Sequence, residues 1–404
     1  MTSLRLGGVL AALFCFQASL AGSRFATLLY ALQNGSGGIG AGLLVAAFAL
    51  AAALWLPISA SLAARASFRS SAALAATMIV LGLAVAAGTR EGSSHQVVAT
   101  IGAALLIGGG ANVGLVTSQR LIATNASSRE LRMSLFGWLS IAPAAASAVG
   151  PVLMGLAIDR LGFATAFASF AIFPVLALVF SKAASRQPPH PGAVNAQHGR
   201  LLDTLRLPGL SRLLATNLVL NACWDVHDFA IPLLGHHFGW PSATTGIALG
   251  AFSMAVVCVR LVLPRLAPLL LRAKTNEFVL LYTVVAFPLY AFASSPIFLI
   301  VLVFMTGAAL GVTQPYIMTV LHDLAPKERF GSALAIRSAA INSAGAGTPL
   351  LFSTAATVLG PAGLFVSMAV ASALSLFILH GKAVLPRSRS GRLIQRPASD
   401  DLKL

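Results

Sequence analysis

Apolar stretches, each about as long as one bilayer crossing, recur along the whole chain and are interrupted by short polar or basic segments. They predict helices over residues 6–31, 39–61, 71–89, 96–122, 134–157, 163–181, 211–234, 244–263, 277–294, 297–321, 331–357 and 363–381. A hydrocarbon core about 30 Å thick takes roughly 20 apolar residues per helix, so each segment is of a length to cross it. The one long interruption, "SKAASRQPPHPGAVNAQHGRLLDTLRLPG", is polar, basic and proline-bearing and falls near the midpoint. It reads as a linker, 182–210, between six-helix halves at 1–181 and 211–381, and the basic segment 382–404 reads as a disordered tail. The fold expected is an all-α membrane protein with twelve transmembrane helices in two pseudo-symmetric six-helix bundles.

An internal repeat supports the two halves. Shifted by 198, "SLFGWLSIAPAAASAVGPVLMGLAIDRLGFATAFAS" falls without a gap on "SALAIRSAAINSAGAGTPLLFSTAATVLGPAGLFVS", matching Pro151 with Pro349, Gly162 with Gly360 and Phe167 with Phe365. A shift of 204 lays the first two helices on the seventh and eighth, matching Phe25 with Phe229, Gly42 with Gly246 and Phe48 with Phe252. Parallel repeats related by an axis along the membrane normal are a transporter architecture, with the substrate site between the halves near the midplane.

Composition agrees, with 57% of residues hydrophobic and 9% charged, against roughly 25% charged in soluble domains. The net charge of +16 first suggests nucleic acid, but 21 of the 27 basic residues fall in loops and tails on one side of the predicted spans. That is the positive-inside pattern, which places both termini in the cytoplasm and the chain in a bacterial inner membrane; no nucleic-acid partner is expected. Cys15, Cys223 and Cys258 all lie within predicted spans, which argues against a disulfide framework or a zinc site. The first apolar run continues past "LAGS" to Leu32, longer than the core of a signal peptide, so it is read as an uncleaved first span.

Twelve spans, a central basic linker and 6+6 repeats together resemble the major facilitator superfamily over nearly the whole chain. "AVGPVLMG", 148–155, resembles the Gly-Pro-x-x-Gly-Gly signature of the fifth helix in the superfamily's proton-coupled drug exporters, with Met154 replacing the first glycine of the pair. Gly150 and Gly155 would let a neighbouring helix approach closely, and Pro151 would loosen the backbone ladder, as a hinge or as tight packing. "ASLAARASFRS" retains Arg65 and Arg69 from the superfamily's inner-loop motif but carries Ala64 where that motif has an aspartate. The arginine that many exporters carry early in the fourth helix is also missing, for "VVATIGAALL" is uncharged. The resemblance implies alternating access, with no cofactor and a monomeric state.

"CWDVHDFAIPLLG", 223–235, spends two of only 11 acidic residues inside a predicted span. Ionisable groups there cost roughly 2.5 to 3.5 kcal/mol each and are usually paired or functional. At about 100° per residue, Asn217, Asn221, Asp225 and Asp228 share one face roughly 80° wide, whereas His227 points about 100° from Asp228. Under the 204 shift Asn221 corresponds to Gln17 and Asp228 to Arg24. Opposite charges therefore stand at equivalent depth on matched faces of the first and seventh helices, and an Arg24–Asp228 ion pair across the cavity is expected. Burial favours the neutral acid and a nearby cation favours the carboxylate, so parting the halves would alter proton affinity. Asp225 could carry the proton instead of Asp228, and His227 could be a relay or a packed, satisfied residue.

Further polar residues within spans are Asn112 and Gln119, seven apart on one face, with Gln314, Tyr316, Arg337 and Asn342. They could line the cavity or bond between helices. Arg120, Arg260 and Arg337 lie near predicted cytoplasmic ends, where headgroup anchoring is expected. His236 and His237 have no convergent metal ligands. With no H-E-x-x-H or P-loop pattern, a membrane enzyme is not favoured. The expected function is secondary transport of a small organic solute, coupled to protons, with export favoured by the fifth-helix segment. Import of an organic anion and a non-transporting receptor or scaffold are the alternatives.

Overall fold

A computed structural model describes residues 3–34, 37–89, 96–125, 129–182, 207, 209–272, 274–325 and 330–380. The predicted tail, and nearly all of the predicted linker, lie outside the described residues. The helices are α1 (Ser3–Gln33), α2 (Gly37–Arg65), α3 (Phe68–Gly88), α4 (Gln96–Asn125), α5 (Arg129–Ser169), α6 (Ile172–Ser181), α7 (Leu210–His237), α8 (Ser242–Arg272), α9 (Thr275–Leu289), α10 (Pro296–Gly311), α11 (Thr313–Leu324) and α12 (Phe330–His380), with a short 3-10 turn, Tyr290–Phe292, after α9.

These helices make twelve crossings, partitioned differently from the helix list. Within α5 and α12 the chain turns at Gly162 (φ 75°, ψ 170°) and Gly360 (φ 70°, ψ 177°). That region of backbone space is essentially restricted to glycine, and the two glycines are partners under the 198 shift. Each long helix therefore counts as two crossings, 129–161 with 163–181 and 330–359 with 361–380. Conversely, the crossing 163–181 is broken at residues 170–171, and 296–324 is broken at Val312. Pro174 and Pro315 follow those breaks; lacking an N–H, they cannot bond the carbonyls of Phe170 and Gly311 four residues earlier.

Among the described residues, nine helical segments are long and apolar enough to cross a membrane, and two of them, Trp138–Ser181 and Ile336–Leu379, are 44 residues long. The 28-residue α7 is not one of the nine. Its middle carries Asn217, Asn221, Asp225, His227 and Asp228, and burial by neighbours rather than apolarity holds it in the bundle.

The halves meet through glycine seats that obey the repeat. A Cβ on Gly246 of α8 would collide with the carbonyl oxygen of Pro151 in α5. Its repeat partner, Gly42 of α2, would bring a Cβ 2.8 Å from the carbonyl oxygen of Pro349 in α12. Both contacts cross between halves, each pairing a repeat-matched glycine with a repeat-matched proline. Close backbone approach of this kind is what small residues provide where lipid supplies no hydrophobic drive for helix association. Facing outward, Leu54, Phe292, Ile297, Val358 and Phe377 are more than half exposed, a surface suited to acyl chains.

Candidate functional site

Two cavities lie between the halves. One, of about 260 Å³, is lined by Gln17 and Arg24 of α1, Pro151 of α5, and Trp224, Asp225 and Asp228 of α7. The other, of about 480 Å³, is lined by the alanines of α2 at 49, 52 and 53, by Asn221, Trp224 and Asp225, and by Arg260, Gln314 and Arg337. Trp224 and Asp225 belong to both walls. Trp224 is braced edge-on against Phe252 at 4.9 Å between ring centroids.

In the smaller cavity Arg24 Nη1 lies 3.4 Å from Asp228 Oδ2, the two side chains being about one-third exposed. Cation and carboxylate come from opposite halves, from positions that the 204 shift pairs. Asp225 accepts from Asn221 Nδ2 at 3.1 Å and from Thr348 Oγ1 at 3.4 Å. One helix face thus presents both carboxylates to the cavities. Gln17 turns toward the first half, its Nε2 donating to the Ala111 carbonyl at 3.2 Å.

His227 is directed elsewhere. It has no solvent exposure, its Nδ1–H donates to the Cys223 carbonyl at 2.7 Å, and its Nε2 shares a hydrogen bond of 2.9 Å with Tyr290 Oη. The ring stacks on Phe252 at 4.7 Å and packs against Phe287, Tyr290 and Phe365. Of the two expectations for His227, the geometry is that of a satisfied core residue inside the second half, facing neither cavity.

The remaining predicted residues divide. Gln314 reaches the larger cavity and accepts from Arg337. Asn112 ties α4 to α2, donating to the Ala52 carbonyl at 3.2 Å and to Ser59 Oγ at 3.3 Å. Gln119 is exposed and Tyr316 half-buried; neither lines a described cavity. The side chain of Asn342 lies outside the described residues. Gly150 and Gly155 are packing seats: a Cβ on Gly150 would come 2.8 Å from the Ala18 carbonyl of α1, and one on Gly155 would meet the Ser242 backbone of α8. Of the inner-loop remnant, Arg65 is exposed, and Arg69 donates to the Lys182 carbonyl. Among the described residues no cluster of His, Cys, Asp or Glu could hold a metal ion.

Arg260 and Arg337, expected near the ends of their spans, both lie on the wall of the larger cavity. α8 continues to Arg272, past the predicted end at 263, but its apolar span is Ser242–Leu263, so Arg260 stands three residues inside the end of that span. Its side chain faces the larger cavity, which Arg337 also lines. The repeat carried no hint of either arginine, since positions 56 and 139 hold leucine. Asp159 was also unread: its carboxylate accepts from the backbone N–H of Ser242 at 2.9 Å and of Ala243 at 2.8 Å, capping the start of α8 from the other half.

The sequence model of the Major Facilitator Superfamily matches residues 8–276 and 272–402. No sequence among the curated proteins compared with the chain matches it significantly. Among solved structures, a POT family transporter in complex with a thioalcohol-conjugated peptide aligns with TM-score 0.68 at 12% identity, covering 93% of this chain and 95% of its own. A POT family transporter in complex with 5-aminolevulinic acid aligns with TM-score 0.70 at 12% identity and the same coverage. A mutant POT peptide transporter aligns with TM-score 0.71 at 13% identity, covering 93% of each chain. At such identities the likeness is one of fold, whereas the sequence model spans nearly the whole length: the chain belongs to the Major Facilitator Superfamily, whose members are membrane transporters rather than enzymes.

Proposed function

We propose that this chain moves a small organic solute by alternating access, coupled to protons, as a monomer in a bacterial inner membrane with both termini cytoplasmic. The observation that carries the reading is the Arg24–Asp228 contact, a charge pair shared between halves on a cavity wall. Protonating Asp228 cancels its attraction to Arg24 and lowers the cost of parting α1 from α7. Asp225, on the same wall, is the second acid able to take the proton. Export is the direction favoured by the resemblance of the 148–155 segment. The peptide conjugate and 5-aminolevulinic acid held by the fold neighbours are small organic solutes, which supports cargo of that general size.

The test is a charge exchange in liposomes containing a pH-sensitive dye. Arg24→Asp and Asp228→Arg are each expected to abolish solute-dependent proton movement, and the double exchange to restore folding and part of the coupling. If the double exchange folds but never couples, the pair is structural. If neither single change affects transport, Arg24–Asp228 has no part in it.

A further inference from the structure

The larger cavity holds two guanidinium groups, and nothing in the proton-coupling scheme uses them. Arg260 comes from α8 and Arg337 from the first turns of α12. Arg260 Nη1 donates to the Ser140 carbonyl at 3.1 Å and Arg337 to the Gln314 side chain; both acceptors are neutral. Among the described residues neither arginine has a carboxylate partner, and in each the Nε–H is buried without an acceptor. Arg24 in the neighbouring cavity likewise has an Nε–H without an acceptor, but its guanidinium faces Asp228.

In each arginine a buried Nε–H lacks an acceptor, and buried donors are ordinarily bonded. A guanidinium presents a planar fork of donors that matches an oxyanion. Gln314 and Ser140 occupy one nitrogen of each group and so hold the forks in place while leaving other donors free. Asp225 and Asn221 line the same cavity and supply acceptors. With Asp225 ionised the lining sums to one positive charge, and its volume of about 480 Å³ suits a compact molecule.

We propose that Arg260 and Arg337 form the anion subsite of the transport pathway, and that its ligand is a small organic monocarboxylate bearing a hydroxyl or amino group that reaches Asp225 or Asn221. The carboxylate lies against the two forks. The carbon skeleton runs along the alanine face of α2 and Trp224, so the bound solute touches both halves. This assignment rests on the transporter reading for its meaning but not for its measurement, because binding can be read without transport.

The experiment measures thermal stabilisation and calorimetric binding on the full chain in neutral detergent. The probes are lactate, gluconate and glutamate as carboxylates, glucose and choline as neutral and cationic counterparts, and phosphatidylglycerol as an alternative source of an oxyanion. At least one carboxylate is expected to bind saturably, and Arg260→Gln and Arg337→Gln are each expected to weaken it about 10- to 100-fold, the loss of one charged hydrogen-bonding partner. Arg260→Lys and Arg337→Lys, which keep the charge but not the fork, should weaken it less and guard against misfolding of the glutamine variants. The proposal is overturned if only glucose, choline or the lipid binds, if no probe binds, or if carboxylate affinity is unchanged in the arginine variants. Carboxylate binding lost in those variants but without vesicle flux would leave the subsite standing and sink the transport reading. Flux of a cation or neutral solute, indifferent to both arginines, would do the reverse.

Discussion

Asp159 offers the sharpest test of how the halves hold together away from the linker. Its carboxylate spans the gap from the end of the fifth crossing to the first two N–H groups of α8, at 2.9 and 2.8 Å. Those are orphan donors at the positive end of a helix, and a side chain capping such donors contributes about 0.5 to 2 kcal/mol. Asp159 is exposed, so the charge-dependent part belongs at the low end, roughly 0.5 to 1 kcal/mol. Asp159→Asn keeps an acceptor and loses the charge, and should raise the open fraction of this face about two- to fivefold. Asp159→Ala loses the cap as well, and about 1 to 2 kcal/mol corresponds to roughly five- to thirtyfold. Opening can be read from the labelling rate of a cysteine at Leu249, a residue lining the cavity between Arg24 and Asp228. An impermeant maleimide is offered from the face where the fifth crossing ends. Cys258, which is exposed, is first replaced by serine; Cys15 and Cys223 are buried. Labelling should accelerate in the order wild type, Asn, Ala. Rates within twofold of wild type in the Ala variant would refute the idea that this cap holds the halves closed.

Two further outcomes follow from the backbone and the core. Gly162→Ala and Gly360→Ala each force a side chain into a conformation that costs about 1 to 3 kcal/mol, so both should lower the melting temperature in detergent, with matched effects because the turns are matched; a neutral Gly360→Ala would show that this turn relaxes freely. His227→Phe should keep the aromatic cluster filled while leaving Tyr290 and the Cys223 carbonyl one partner short, costing stability of about 1 to 3 kcal/mol but sparing solute-dependent proton movement. Loss of that movement in a folded His227→Phe protein would restore His227 to the proton path.

The parts of this molecule visible in the sequence are those written twice or written at a cost. Gly42 and Gly246, Pro151 and Pro349, and Gly162 and Gly360 were visible as repeat partners, and each pair performs the same backbone task in both halves. Arg24 and Asp228 were visible because charges inside a span are rare and the repeat aligned them. Arg260 and Arg337 escaped as cavity residues because the direction a side chain takes near the end of a span depends on its neighbours across the bundle, and the repeat holds leucine at both matching positions. Asp159 escaped because capping another helix's start depends on tertiary placement, which no local pattern encodes. His227 illustrates the converse: its residue type suggests chemistry, and only its neighbours reveal a packed ring.

The two cavities share Trp224 and Asp225, and this governs what their charges can do together. An anion at Arg260 and Arg337 places negative charge in the compartment that Asp225 lines, while the Arg24–Asp228 pair stands in the next one. In a low-dielectric interior, charges a few ångströms apart do not titrate or bind independently. Solute and proton are therefore linked under the proposed scheme: whatever factor by which protonation of this wall strengthens anion binding, bound anion strengthens protonation by the same factor. The sign is fixed by charge alone, since removing a negative charge from the wall favours a second negative charge beside it. A carboxylate solute and a proton would thus favour each other's presence, which is the coupling of a symporter. Under an inward proton gradient this subsite favours uptake, whereas the 148–155 segment favours export, and the sign of solute-dependent proton movement decides between them.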